Sequence, residues 1–535
     1  MVSIQISKKW LLNELKVSEA ELIDALPQIK AEVDANNELL CLSITGDRPD
    51  LLGRHGLLRA LKGYFEIETG LPELKVEKAK TKLTVDESVK KVRPFAMAAF
   101  ARGLRLDDES VRELIQIQEK LVLTHGRRRR KVAIGIHDAS VVKGDLAYKA
   151  VNNDYEFQPL GWKKKASIKR IMREHEKGKE YSFCLNGKDY PLFCDEKGVL
   201  SMPPIINAQR TAVTKGTTDL LLDVTGTDWE ACNVALNILC REFADAGARI
   251  EGIESNGKLT PETEPEKMLV GVNEANRLLG TELSDGKIVR CLEKQRLGAK
   301  HSKKIIECAI PRYRADFLHS ADLIEEIALG YGYNAFEPKK SSVFTKGGLL
   351  QETLQENRVR DAITGAGFLE ALTHVLSNEE IAFKSLAEGK LVHLKNPISK
   401  EYCCLRGALL PSLLQVLSEN THNSYPQRLF EVGEVIVTGG KQGTETRRHA
   451  CAVSCHANAN ITEGASALFH ALHALGIKAE LKPCEEPGLW KGRQGKIMVN
   501  NKKIGTVGEV HPQALENHGI EMPCAAFEFD LDALE

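Results

Sequence analysis

A chain of 535 residues, 42% hydrophobic and 27% charged, cannot close around a single hydrophobic core, because such cores stop growing at about 250–300 residues. Several domains are therefore required, about three or four by length. Residues 1–82 alternate strand and helix patterns, as expected of a small α+β domain. Its stretch "ITGDRPDLLGRHGLLRALKGYF" predicts a turn at Asp47 to Asp50 and a helix from Leu51 to Phe65, with Leu57, Leu58 and Leu61 facing inward. "LPELKVEKAKTK" reads as a linker of lysines and proline. A larger mixed α/β domain is expected over 83–260. A helix-rich module of winged-helix or helix-turn-helix type follows over 261–342. Residues 343–535 return to mixed helix and strand, with a hairpin turning at Asn500-Asn501.

Composition narrows the function classes. A formal net charge of -1 argues against a protein that coats nucleic acid by bulk electrostatics, so any RNA contact must be local. Thirteen irregularly spaced cysteines, and no secretory leader in "MVSIQISKKWLLNELKV", point to a reducing cytoplasm without disulfides. The nearest approach to a metal cluster, His449, Cys451, Cys455 and His456 in "HACAVSCHA", fits better as a strand, since His449, Cys451, Val453 and Cys455 share a face at period two. No apolar run reaches the eighteen or so residues of a membrane span.

Three local patterns carry chemistry. In "RADFLHSADLIEEIALGYGY" a helical step of about 100° per residue puts Leu323, Ile324, Ile327, Ala328 and Tyr331 on one face and Asp322, Glu325 and Glu326 on the other. Ser320 is the expected N-cap and Gly332 the stop. These acids, with Asp316 folded back from the preceding loop, form either a solvated face that suits the helix dipole or a set of hard oxygen ligands suited to Mg²⁺. "HGRRRRKVAIGIHD" places Arg127 to Lys131 as a basic loop ahead of the strand Val132 to Ile136. That loop is either solvated or faces RNA. Leu220 to Thr225 alternates as a strand, putting Asp223 and Thr225 on one face and Leu222 and Val224 on the other. Thr227 to Glu230 matches a capping box for the following helix. Asp223 and Thr225 lack such a role, and inward polar groups need partners, of which a ligand could be one.

These blocks, together with "DRPDLLGRHGLLRALKGY", "PPIINAQRTAVTKGTTDLLLDVTGTD", "LKNPISKEYCCLRGALLPSLL" and "LFEVGEV", occur in an order that resembles the beta subunit of phenylalanine–tRNA ligase across nearly the whole chain. The layout is similar to the archaeal and eukaryotic cytosolic branch. The resemblance implies an aminoacyl-tRNA ligase built as an (αβ)₂ tetramer that joins phenylalanine to tRNA(Phe) through an ATP-derived adenylate, with synthesis on the α subunit. It implies Mg²⁺ held by Asp316, Asp322, Glu325 and Glu326. For 83–260 it implies an editing domain that hydrolyses tyrosine wrongly attached to tRNA(Phe), with a pocket near Leu192, Ser201, Asn207, Asp223 and Thr225. Ser201 and Asn207 equally suit turn chemistry beside Pro203-Pro204, and His137 is a further candidate contributor. A second pocket is needed because a hydrophobic pocket shaped for phenyl rejects an added hydroxyl only about 10²-fold.

For 343–535 the resemblance implies a class II synthetase-like antiparallel core without its reaction chemistry. Arg406 and "LFEVGE" echo the second class II motif, whereas Arg493 precedes a strand where the third motif would need a helix. The expected role is dimerisation and docking. Two other classes compete with this one: a free-standing hydrolase that clears misacylated tRNA, and a noncatalytic RNA-binding scaffold.

Overall fold

A computed structural model describes residues 2–185, 189–340, 343–387, 389–439 and 441–534. It divides into two compact units, Met1–Lys339 and Lys340–Glu535. Within the first, Val2–Ser7, Leu39–Ile44 and Ala31–Asn36 form an antiparallel sheet with Leu39–Ile44 central. The helix expected from Leu51 divides into a 3₁₀ turn, Pro49–Leu52, and the helix Arg54–Tyr64, whose Leu57, Leu58 and Leu61 are buried.

The centre of this unit is a ten-stranded mixed sheet. From one edge it runs through Ile206–Asn207, Gly198–Met202, Tyr190–Asp195, Leu146–Val151, Val76–Val85, Arg249–Ser255, Phe95–Arg102, Leu220–Gly226 and Val132–Asp138, with Lys258–Thr260 paired to Arg249–Ser255. The lysine-rich segment expected as a linker is thus a strand, parallel to both neighbours. Its Ala79 and Leu83 are buried while Lys78 and Lys80 stay exposed, so the charge that suggested a linker is the wet face of a half-buried strand.

Against one face lies the helix Trp229–Asp245, capped by Asp228, whose side chain accepts from Ala231 N at 2.8 Å. The cap therefore falls one residue after the expected Thr227. Leu220, Leu222 and Val224 pack into the core shared with that helix, while Leu221 turns to the opposite face with Phe100, Tyr148 and Phe193. Strand alternation puts Asp223 and Thr225 on that second face.

Residues Glu266–Gly271, Ile305–Ile310 and Gly298–Ser302 form a separate three-stranded antiparallel sheet. It packs with the helices Val272–Leu279, Asp285–Lys294 and Ser320–Tyr331 around Ile288, Leu292, Leu323 and Ile327. The last helix is the acidic one. Its N-cap is His319 rather than Ser320, with the ring accepting from Ala321 N and Asp322 accepting from Leu318 N and His319 N.

The second unit is built on a seven-stranded sheet in the order Leu369–Glu370, Gln427–Thr438, Thr444–Cys455, Cys524–Asp530, Lys502–Val510, Leu489–Val499 and Glu480–Pro483. Every pairing is antiparallel except the first. The helices Gln351–Gly365 and Ile461–Ala474 contribute to the core on one face and Leu410–Glu419 to the core on the other. Asn500 and Asn501 both have positive φ, 50° and 64°, as the tight hairpin requires.

Candidate functional site

The "HACAVSCHA" segment runs along the strand Thr444–Cys455 as far as Cys455, with Cys451 and Cys455 buried and His456 just past the strand's end. His449 pairs with Glu528 and His456 with Glu463, each at 2.7 Å. The four carboxylates of the acidic helix region are likewise already committed to protein partners. Arg314, fully buried, binds Asp316 at 2.6 Å and Glu326 at 2.9 Å. Lys30 binds Glu325 at 2.9 Å and also Asp47 at 2.8 Å, and Asp322 is spent on the helix cap. Burial alone would lower Arg314, but Glu326 and Asp316 hold it well above its ordinary value.

A Mg²⁺ ion needs near-octahedral oxygens at about 2.0–2.1 Å. A guanidinium bridging two of the proposed ligands and an ammonium on a third do not fit one shared ion. Among the described residues no group of three or more His, Cys, Asp or Glu side chains converges as a metal site. Glu326, expected on the wet face, is buried because Arg314 meets it there. The cluster is a latch of alternating charge, continued by the buried pair Arg48 and Asp50 at 2.9 Å.

A different arrangement surrounds Asp223. A cavity of about 350 Å³ is lined by Ser201, Asn207, Asp223, Gly135 and Ile134, with Arg129, His175 and Lys177 also on its wall. Asp223 Oδ2 accepts from Ser201 Oγ at 2.9 Å and meets His137 Nε2 at 2.7 Å. A carboxylate only accepts, so Nε2 of His137 carries the proton, and Nδ1 meets the Thr211 hydroxyl at 2.8 Å. All four side chains are buried. Asp223 Oδ1 accepts no hydrogen bond from the described residues.

Space for this network comes from Gly135, which pairs with Asp223 across the sheet. A Cβ there would lie 2.2 Å from Asp223 Oδ2 and 2.8 Å from His137 Nε2. Asn207, paired with Ser201 across a hairpin, donates to Ile136 O at 3.2 Å and so ties the cavity's two walls.

Two expected pocket residues lie behind the cavity. Leu192 is buried with Phe157, Ile168, Met202 and Ile205, backing the wall that Met202 and Ile205 form. Thr225 accepts from Arg93 Nε at 3.1 Å through its hydroxyl and from Nη2 at 2.7 Å through its carbonyl. The same buried guanidinium donates through Nη1 to the carbonyls of Arg129 and Arg130, so Thr225 anchors the clamp that shapes the basic loop.

The basic loop has an unusual backbone. Arg127, Arg128 and Arg129 all have positive φ, 49°, 54° and 66°, a conformation costing roughly 1–2 kcal/mol for each L-residue. Backbone bonds from Arg128 N to Leu123 O and Arg129 N to Val122 O, both 3.0 Å, offset that cost together with Arg93. Gly126 permits the close return, since a Cβ would meet Val132 O at 2.5 Å.

Gly135, Thr211 and Arg93 were not singled out in the sequence. Gly135 did leave a signal, because a glycine inside an apolar strand marks a close approach. Thr211 and Arg93 left none.

Comparison with known proteins follows the same geography. Residues 80–236 match the "B3/4 domain" family, 268–333 the "tRNA synthetase B5 domain" family and 339–531 the "Phenylalanyl tRNA synthetase beta chain CLM domain" family. The chain is 38% identical over 524 residues to the phenylalanine–tRNA ligase beta subunit of Archaeoglobus fulgidus, covering 96% of this chain and 95% of that one. It is 39% identical over 499 residues to the Pyrococcus horikoshii beta subunit, covering 91% and 90%. Among solved structures, an N-terminal fragment of the Pyrococcus horikoshii phenylalanyl-tRNA synthetase beta subunit superposes with a TM-score of 0.60 at 36% identity, over 62% of this chain and 100% of the fragment.

Proposed function

The chain belongs to the beta-subunit family of phenylalanine–tRNA ligase, and on that premise we propose a division of labour. The ligase attaches phenylalanine to its tRNA with ATP on an α subunit. This chain provides the platform on which that subunit is assembled, and it removes tyrosine wrongly attached to the same tRNA.

The observation that carries the editing role is the Asp223 carboxylate. Oδ2 is fixed by Ser201 and His137, Oδ1 accepts no hydrogen bond from the described residues, and Asp223 lines a cavity of about 350 Å³. A fixed acceptor in a buried pocket rewards a phenol hydroxyl, whereas phenylalanine would leave the acceptor unpaired at a cost of about 1–3 kcal/mol. Sites built to bind a hydroxyl reject analogues lacking it by up to about 10⁴–10⁵-fold. The His137–Thr211 pair fixes the orientation of Asp223, Leu192 backs the wall, and Thr225 acts through Arg93. Hydrolysis then falls to water ordered by the polar wall and the bound RNA, since no nucleophile and base pair of the serine or cysteine type lines the cavity among the described residues.

We assign editing to residues 83–260, a winged-helix-like role to 261–342 and a class II synthetase-like core to 343–535. In that core Arg406 is buried against Glu431 at 2.8 Å and Thr373 at 2.6 Å. Arg428 faces Glu463 at 2.8 Å, and Arg493 faces Glu509 at 2.9 Å. Cations bound to carboxylates are poorly placed for triphosphate, which supports docking over synthesis. The match of 339–531 to the CLM family favours a subunit over a free-standing hydrolase.

A beta subunit works with an α subunit and tRNA; the (αβ)₂ stoichiometry and a cytoplasmic location complete the proposal. No helix among the described residues is long and apolar enough to cross a membrane. The family uses Mg²⁺, and here the acidic helix serves as the charge latch described above. The test is purification with and without the α subunit. Phenylalanine charging should require both chains, and tyrosyl-tRNA(Phe) hydrolysis should be lost on Asp223→Ala in the assembled ligase. Charging by this chain alone would overturn the division of labour, and equal hydrolysis by Asp223→Ala would remove the cavity from editing.

A further inference from the structure

The basic loop is not absorbed by any role given so far. Arg127, Arg128 and Arg130 are exposed, and none of the four arginines from Arg127 to Arg130 forms an ion pair among the described residues, whereas the adjoining Lys131 pairs with Asp228. In a chain of net charge -1, four guanidinium groups in sequence without an ion pair among the described residues make a local positive field.

These groups do not stand alone. Arg129 packs on Tyr181, with its guanidinium carbon 4.0 Å from the ring centroid, and Arg128 and Arg130 lie 5.6 and 4.8 Å from the centroid of Phe183. Arg129 also donates through Nη1 to Pro204 O at 3.0 Å and Ile205 O at 2.9 Å, both on the cavity wall. Its Nε is buried without a partner. The loop is therefore bolted to the lip of the cavity on one side, and Arg93 holds it from beneath.

We infer that Arg127–Arg130, with Tyr181 and Phe183, form a docking platform for the unpaired 3′ end of the RNA whose last nucleotide delivers its aminoacyl ester to the Asp223 cavity. The inference rests on the editing role proposed above. A cavity of about 350 Å³ takes an aminoacyl group and part of the terminal ribose, so the preceding nucleotides must cross its rim. Phosphates need cations there, and bases without a pairing strand need flat faces. Guanidinium planes interleaved with aromatic rings supply both, which is the composition of single-strand platforms. An acidic protein segment would use the charges but not the rings.

The test uses the full chain and a fluorescein-labelled, uncharged RNA oligonucleotide ending in CCA-3′, with binding followed by anisotropy across a salt series. Each phosphate neutralised on a single strand contributes about 0.7 to the slope of log K against log salt. Arg127→Ala/Arg128→Ala/Arg130→Ala should therefore flatten that slope by about 2 and weaken binding tenfold or more at low salt. The matching lysine variant should keep the slope. Phe183→Leu should weaken binding roughly tenfold at unchanged slope, as loss of one stack would. Should the alanine variant fail to fold, the lysine variant and Phe183→Leu decide the matter.

Unchanged affinity and slope in the alanine variant overturn the proposal. So does a polyglutamate peptide that binds the wild type as tightly as the RNA and loses its binding in that variant. In tyrosyl-tRNA hydrolysis the alanine variant should raise KM with little change in kcat, and a fall in kcat at unchanged KM would count against docking. If the wild type binds RNA as described but hydrolyses no tyrosyl-tRNA, the editing role falls and the RNA platform stands.

Discussion

Replacing Gly135 by alanine adds one methyl group to the cavity lining, against Asp223 and His137. The new Cβ would lie 2.2 Å from Asp223 Oδ2 and 2.7 Å from its Cγ, against 3.4 Å for ordinary contact. Asp223 sits on a central strand, flanked by Phe95–Arg102 and Val132–Asp138, so its backbone cannot retreat and the carboxylate must swing instead. A displacement of that size breaks the 2.7 Å contact to His137 and the 2.9 Å bond from Ser201, because hydrogen bonds weaken steeply outside their normal range.

Overpacking of this kind costs about 1–3 kcal/mol, and leaving a buried polar partner unsatisfied costs about 1–3 kcal/mol more. The expected total is roughly 2–6 kcal/mol, a thermal midpoint lowered by on the order of 5–10 °C. Calorimetry of the assembled ligase measures that shift. Tyrosyl-tRNA(Phe) hydrolysis at a temperature well below the midpoint measures the loss of the site, expected at about a hundredfold or more for about 3 kcal/mol, while phenylalanine charging stays at the wild-type rate. A variant with unaltered midpoint and unaltered hydrolysis would refute the claim that Gly135 makes room for the Asp223 network.

Three further expectations concern the rest of the molecule. Arg314→Met strands Glu326 in a buried site and should cost about 3–5 kcal/mol, read by denaturant unfolding, with partial recovery in Arg314→Met/Glu326→Gln. Because Arg314 and Lys30 already satisfy the acids, millimolar Mg²⁺ should leave the thermal midpoint within the error of an EDTA control. A rise of several degrees that vanishes in Asp322→Asn/Glu325→Gln would restore the metal reading. His518 is pushed down to about 4 by burial, with Lys384 adding to the effect, and its Nε2 meets Ser385 Oγ at 2.9 Å. The unfolded chain takes up that proton first, so stability falls as pH drops from about 6.5 to about 4. Unfolding followed across this window in His518→Gln should show a shallower slope than the wild type.

The sequence made periodicity legible but not depth. Alternation along Leu220–Gly226 put Asp223 and Thr225 on the same face, as found, yet gave no means of telling which one opens to a cavity. That depends on Gly135 leaving room beside Asp223 and on Arg93 covering Thr225, and both come from other strands or loops. The acidic helix shows the same limit. Helical spacing correctly buried Leu323, Ile324, Ile327 and Ala328, but Glu326 is buried as well, because Arg314 folds under it from the preceding loop. Lys30, which meets Glu325, comes from the opposite end of the unit's chain, and no local pattern announces it. The lysines of Val76–Val85 misled for a related reason: charge on every other residue is shared by linkers and by strands with one wet face, and only the pairing partners distinguish them.

In the proposed editing role, Asp223 Oδ1 is the acceptor that selects a tyrosyl group. The most direct measurement is single-turnover hydrolysis of tyrosyl-tRNA(Phe) and phenylalanyl-tRNA(Phe) by the ligase, in the wild type and in Asp223→Asn. The wild type should prefer the tyrosyl ester strongly, and the substitution should collapse that preference by tenfold or more, the equivalent of about 1.4 kcal/mol at least. An undiminished preference in Asp223→Asn would mean that the hydroxyl is recognised elsewhere and that the cavity around Asp223 is not where this chain tells the two amino acids apart.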